Sequence, residues 1–128
     1  MNIKFFSLII IFLMFSVVSA ANLDVKILEK NEIIITELDK ASATFKLNIT
    51  NLEEVDDEFQ IYSLVSIGMY PKEFFTIKQG ETITLDVSAV PFKEILRDKR
   101  GVYAFEYQIK GKKTGFFKDS LMIKILDV

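Results

Sequence analysis

Over most of its length the chain alternates apolar and polar residues with a period of two, the pattern of strands that bury one face and leave the other to water. In the first clear run Ala43, Phe45, Leu47 and Ile49 fall on one side and Thr44, Lys46, Asn48 and Thr50 on the other. Ile83, Leu85 and Val87 oppose Thr82, Thr84, Asp86 and Ser88 in a second. Tyr103, Phe105, Tyr107 and Ile109 oppose Val102, Ala104, Glu106 and Gln108 in a third, which opens just after Gly101. A fourth sets Leu121, Ile123 and Ile125 against Ser120, Met122, Lys124 and Leu126. Weaker runs cover 24–28, 33–36, 59–67 and 74–78, and no stretch keeps a helical period beyond about two turns.

Seven or so strands in about 108 residues predict an all-β fold, an immunoglobulin-like Greek-key β-sandwich. Lettered in that scheme, strand A spans 24–28, B 43–50, C 58–67, D 74–78, E 81–88, F 102–109 and G 117–126. Gln79-Gly80 predicts a D–E hairpin, and the two glycines of 110–115 predict an F–G hairpin. In the E–F cross-over, 91–100, Phe92, Ile95 and Leu96 are spaced for a single helical turn. Tyr103, near the start of F, is placed for a tyrosine corner, although an ordinary half-buried tyrosine fits the same pattern.

Residues 1–20 break the alternation. A lysine-bearing start precedes an apolar run from Phe5 to Val18, interrupted only by Ser7 and Ser16, and the segment closes on Val18-Ser19-Ala20. That order predicts an N-terminal signal peptide helix cleaved after Ala20, with a domain over 21–128. The competing reading is a retained anchor, for which the run is shorter than the roughly 20 residues that span a bilayer. The membrane is then involved only through this segment, and only if it is uncleaved.

Composition narrows the chemistry. Of 16 basic and 18 acidic residues, one lysine lies in 1–20, which leaves 15 against 18 in the remainder, a net charge of -3. No basic excess is available to hold a nucleic-acid backbone. Cysteine, histidine and tryptophan are absent, which removes disulfides, thiolate nucleophiles, His-ligated metal sites and every His-dependent catalytic dyad. No catalytic residue, metal site or cofactor is therefore expected. The acidic group Glu53, Glu54, Asp56, Asp57 and Glu58 lacks the ligand alternation and turn glycine of a calcium loop and reads as a solvated loop, neutralised by Lys110, Lys112 and Lys113 at the same end of the sandwich. Lys93, Arg97, Lys99 and Arg100, interrupted by Glu94 and Asp98, read as a solvated cross-over at the other end. Asn48-Ile49-Thr50 is an N-glycosylation sequon, and its position inside a strand favours an unmodified Asn48.

Residues 75–87, reading F-T-I-K-Q-G-E-T-I-T-L-D-V, and 101–107, reading G-V-Y-A-F-E-Y, resemble extracytoplasmic immunoglobulin-like modules of archaea and bacteria, among them the alpha-galactosidase-associated NEW3-type and the CARDB-type domains. From 75 to 107 the resemblance covers about a third of the domain. It implies a sandwich fold and an accessory, adhesive or spacer role without catalytic residues. Those modules usually occur several to a chain, and a domain standing alone does not fit a spacer.

The two outer faces differ in character. Strands B and E turn only polar side chains outward, whereas C, F and G turn out Tyr62, Leu64, Val102, Ala104, Met122 and Leu126 among polar neighbours. An apolar sheet face of this kind predicts a cover, either a protein partner or a second copy of the chain. Three arrangements would instead keep these residues within the fold: a register shift on C, a bulge, or the segment 33–36 lying over the sheet. The expectation is a secreted or cell-surface, non-enzymatic domain that binds protein or glycan. Its alternative is a structural or stabilising accessory subunit of a larger envelope assembly.

Overall fold

A computed structural model describes residues 20–36, 42–98 and 100–127. The signal segment read in 1–20 lies, except for Ala20, outside the described residues, as does Lys99. The described chain forms β1 (Leu23–Asn31), β2 (Ile33–Ile35), β3 (Ala43–Asn51), β4 (Asp57–Ser63), β5 (Ile67–Tyr70), β6 (Phe75–Ile77), β7 (Thr82–Pro91), α1 (Lys93–Asp98), β8 (Gly101–Gly111) and β9 (Phe116–Leu126). A four-stranded sheet in the order β1-β3-β7-β5 packs on a five-stranded sheet in the order β2-β9-β8-β4-β6. This is an immunoglobulin-like β-sandwich, as the alternation predicts.

Side-chain parity builds the core directly. Phe45, Leu47 and Ile49 from one sheet join Phe59, Ile61, Tyr107, Ile109, Ile123 and Ile125 from the other in one buried cluster. Each fully buried side chain of this size contributes about 1.5–3 kcal/mol, which lets the domain hold together without disulfides. Ile95 and Leu96 of α1 pack against the cluster as the predicted helical turn, their N–H groups donating to the Phe92 carbonyl at 3.0 and 3.2 Å.

The topology departs from the expected one where the chain changes sheets. The single strand C expected over 58–67 is two strands in different sheets: β4 pairs with β8, and β5 pairs with β7. Between them the Val65 N–H donates to Ser63 Oγ at 3.2 Å and the Ile67 N–H to the Val65 carbonyl at 2.7 Å, a tight bend that ends one ladder and starts the other. The expected D–E hairpin is absent, because β6 pairs with β4 and not with β7. Gln79-Gly80 still turns the chain, with Gly80 at φ 74 and the Glu81 N–H donating to Lys78 O at 2.9 Å, but the turn passes the chain from one sheet to the other. The F–G hairpin forms as read, β8 and β9 pairing in unbroken register from Gly101↔Ile125 to Lys110↔Phe116. From β1 to β8 each successive strand lies in the opposite sheet, and only the β8–β9 step stays within one.

Two smaller expectations change. Tyr103 packs half-buried against the core, and its hydroxyl has no hydrogen bond to an upstream backbone group, so no tyrosine corner forms. The weak run at 33–36 is β2, which extends the five-stranded sheet at its edge, parallel to β9, and does not lie over its face.

Candidate interaction surface

On β3 and β7 of the four-stranded sheet the outward rows are polar from Thr44 to Thr50, although at one end β5 adds Tyr70, 44% exposed, opposite Ser88, and Val90 opposite Gly68. Thr44 pairs with Ser88, Lys46 with Asp86, Asn48 with Thr84 and Thr50 with Thr82, whose hydroxyls meet at 2.7 Å. Asn48 lies mid-strand and half-buried between Lys26 and Thr84, so its side chain is hemmed by both neighbouring strands. Water suffices as a partner for the β3 and β7 rows of this face.

The outer face of the five-stranded sheet divides into two halves. At one end Val102 pairs with Lys124 and Ala104 with Met122, while Ile33 pairs with Lys124 and Ile35 with Leu126 from the other side of β9. Val102 is 64% exposed, Ile33 50% and Met122 47%, large values for apolar side chains sharing one surface. Ile33 therefore widens the patch that the sequence placed on F and G. Towards the other end the rows become polar, with Glu106 opposite Ser120 and Gln108 opposite Lys118.

Of the six candidate interface residues, the structure brings together Val102, Ala104, Met122 and Leu126. Tyr62 is on the same sheet but at the polar end, half-buried, donating its hydroxyl proton to Gln108 Oε1 at 2.7 Å. Leu64 is in the β4–β5 bend, 74% exposed and just past Ser63, which pairs with Tyr107, so it falls outside the outer row of the sheet because β4 has already ended. Exposed Val65, Tyr70 and Phe92 belong to this bend region or to the nearby edge strand β5.

At the opposite loop end, the acidic segment is not the uniformly solvated loop that its composition suggests. Asp57 is 3% exposed and accepts hydrogen bonds from the Glu58 N–H (2.8 Å), the Lys113 N–H (3.1 Å), the Thr114 N–H (3.0 Å) and Thr114 Oγ1 (2.7 Å). Burial pushes its carboxyl up, and these four bonds more than offset that, holding it below the ordinary value. Gly111 carries no Cβ because one would collide with Asp57 Oδ2 and Thr114 Oγ1. Asn51, fully buried, donates to the carbonyls of Val55 (3.0 Å) and Ile77 (2.9 Å) and accepts from the Glu53 N–H (2.9 Å), tying the two sheets together at this end.

The neighbouring carboxylates point apart to separate partners: Glu53 to the Asn22 N–H, Asp56 to the Gln79 N–H, and Glu58 to Lys112 Nζ at 2.9 Å. This divergence leaves no convergent oxygen set for a cation. In the cross-over, Arg100 Nε bonds Asp127 Oδ1 at 2.7 Å and its Nη1 the Leu96 carbonyl at 2.6 Å, so that part of the basic group serves to fix α1 and the C-terminal residues. Among the described residues no helix is long and apolar enough to cross a membrane.

The architecture has clear likenesses among solved structures. A FixG-related protein from Vibrio parahaemolyticus superimposes with a TM-score of 0.60 at 14% identity, over 84% of this chain and 98% of its own. The ASH/PapD-like domain of human CEP192 gives 0.54 at 12% identity, over 85% and 88%. A protein of unknown function from Porphyromonas gingivalis gives 0.52 at 19% identity, over 83% of this chain and 47% of its own. No family model and no curated protein matches the sequence. At these identities the likenesses establish an immunoglobulin-like, PapD-like sandwich and nothing finer.

Proposed function

We propose that the protein is an extracytoplasmic, non-enzymatic immunoglobulin-like domain that works by binding another protein through the apolar half of its five-stranded sheet. Residues 1–20 serve in this reading as a cleaved signal segment and 21–128 as the working domain. The observation that carries it is the gathering of Ile33, Val102, Ala104, Met122 and Leu126 around Lys124 on one half of the five-stranded sheet's outer face, against the polar rows that β3 and β7 turn outward on the other sheet. Exposed apolar side chains gathered on one sheet face mark an interaction surface. Glycan recognition is less well served, since this half of the face offers few hydrogen-bonding groups. The resemblance to accessory NEW3- and CARDB-type modules supports a role without catalysis.

The test is the double variant Val102→Glu with Met122→Lys, expressed with its signal segment and cross-linked in its own envelope fraction. Both side chains are exposed, so thermal stability should change little, while cross-linked partner or dimer falls by about 100-fold, as for two central apolar contacts. Unfolding of the double variant, or an unchanged cross-linking pattern, would sink the reading.

A further inference from the structure

The outer edge of β9 is paired at both ends and open between them. At its start Ala20 bridges Phe116 in parallel, and the Ala21 N–H donates to Phe116 O at 2.9 Å. At its end β2 runs parallel to it, the Lys124 N–H donating to Glu32 O at 2.8 Å and the Thr36 N–H to Leu126 O at 3.1 Å. In between, the chain leaves this sheet and runs as β1 in the other one. Residues 116, 124 and 126 fix the parity: in this uninterrupted antiparallel register, even-numbered residues of β9 turn their main-chain groups away from β8. Lys118, Ser120 and Met122 therefore aim N–H and C=O groups outward, and none pairs with another strand among the described residues.

The space beside this edge is shaped for a side chain. A groove of about 130 Å3 lies between β1 and β9, with Ile27, Phe45 and Leu121 in its lining. Ile27 is 48% exposed there, since the bulge between Ile27 and Glu29 carries β1 away from the sheet opposite. Asp119 closes the edge for the moment, its own carboxylate accepting the Ser120 N–H at 2.8 Å. Such a local cap satisfies an edge donor and discourages indiscriminate pairing.

We propose that the β9 edge between Phe116 and Lys124 accepts an extended peptide segment of another protein as a parallel strand, with apolar side chains at alternate positions entering the groove over Ile27, Phe45 and Leu121. Parallel orientation follows from β2, which already pairs in parallel with the end of this edge and which a strand filling the gap continues. The site is formed by main-chain groups and stands or falls independently of the apolar sheet face.

The probe is the blocked pentapeptide acetyl-Thr-Ile-Thr-Ile-Thr-amide, titrated into the full chain and followed by amide hydrogen exchange, with sedimentation to record oligomeric state. Binding should slow exchange at Lys118, Ser120 and Met122. Ser120→Pro removes an outward N–H while sparing the ladder to β8, and should weaken binding at least ~10-fold with the fold's exchange pattern intact. Asp119→Ala frees the Ser120 N–H and should tighten binding by about 5-fold. If Ser120→Pro proves unfolded, the Asp119→Ala gain and the protection pattern decide the matter. Absence of binding at millimolar peptide, protection located elsewhere, or pairing of the edge with a second copy of the chain would each overturn the proposal.

Discussion

Replacing Asp57 by alanine should destabilise the domain more than any other change to an acidic side chain. The carboxylate accepts four hydrogen bonds, three from backbone N–H groups and one from the Thr114 hydroxyl, and it links β4 to a loop 56 and 57 residues further along. A hydrogen bond to a charged group is worth about 1.5–3 kcal/mol. Water reaches part of the 112–115 loop and replaces some of what is lost, so the net loss should be ~2–4 kcal/mol, a large share of the roughly 5–15 kcal/mol that holds a domain together. In urea, with a slope of ~1–1.5 kcal/mol/M, the midpoint should fall by about 2 M without a change in slope. Asp57→Asn keeps the shape without the charge and should fall between the two.

The dependence on pH supplies a second, sharper check. Because the folded carboxyl is held below its ordinary value of 3.8, its stabilisation is fully present above the unfolded value of about 3.9 and is lost as pH falls through the lower folded value. The stability gap between the native chain and Asp57→Ala should therefore be constant from pH 7 to 5 and narrow below pH 4. A loss under about 0.5 kcal/mol at neutral pH, or a gap that persists undiminished at pH 2, would refute this account of the loop.

Two further outcomes follow from the same structure. Asn51→Ala leaves the Val55 and Ile77 carbonyls and the Glu53 N–H without their partner at a fully buried position, and should lower the melting temperature by roughly 10 °C or more, as read by circular dichroism. Leu64→Glu, in an exposed bend outside the outer row of the sheet, should shift stability by no more than about 0.5 kcal/mol and leave any partner binding through Val102 and Met122 unchanged, as read by urea denaturation and cross-linking.

Parity made the sandwich legible, and parity also hid its path. Phe59, Ile61, Ile67 and Met69 are all odd-numbered and all buried, so the alternation runs straight through the place where the chain crosses between sheets. A local signal existed in Ser63 and Ser66 bracketing the bend, but period two cannot tell a continuous strand from two in opposite layers. Leu64 falls out of the outer row for this reason, whereas Tyr62 stays on the same sheet and only its register opposite Gln108 sets it at the polar end. Val102, Ala104 and Met122 fall on one outward face as the alternation predicts, because β8 and β9 are joined by a short loop that fixes their register. Asp57 shares the odd parity of Phe59 and Ile61, and Asn51 that of Leu47 and Ile49, so period two puts both on the inner face, but it cannot show the partners that hold them there. Parity separates Asp57 from Asp56, which stays at the surface, while the bonds that stabilise a buried carboxylate come from Lys113 and Thr114, far along the chain.

The lacing of β1 through β8 across the two layers constrains the order in which the molecule assembles. Apart from β8 and β9, no two strands adjacent in sequence share a ladder, so every other pairing requires the closure of a long loop before any contact repays it. Folding in milliseconds to seconds is the ordinary pace for such a topology. Its one local nucleus, residues 101–126, is also the last part of the domain to leave the ribosome, so a nascent chain lacking it has no hairpin from which to begin.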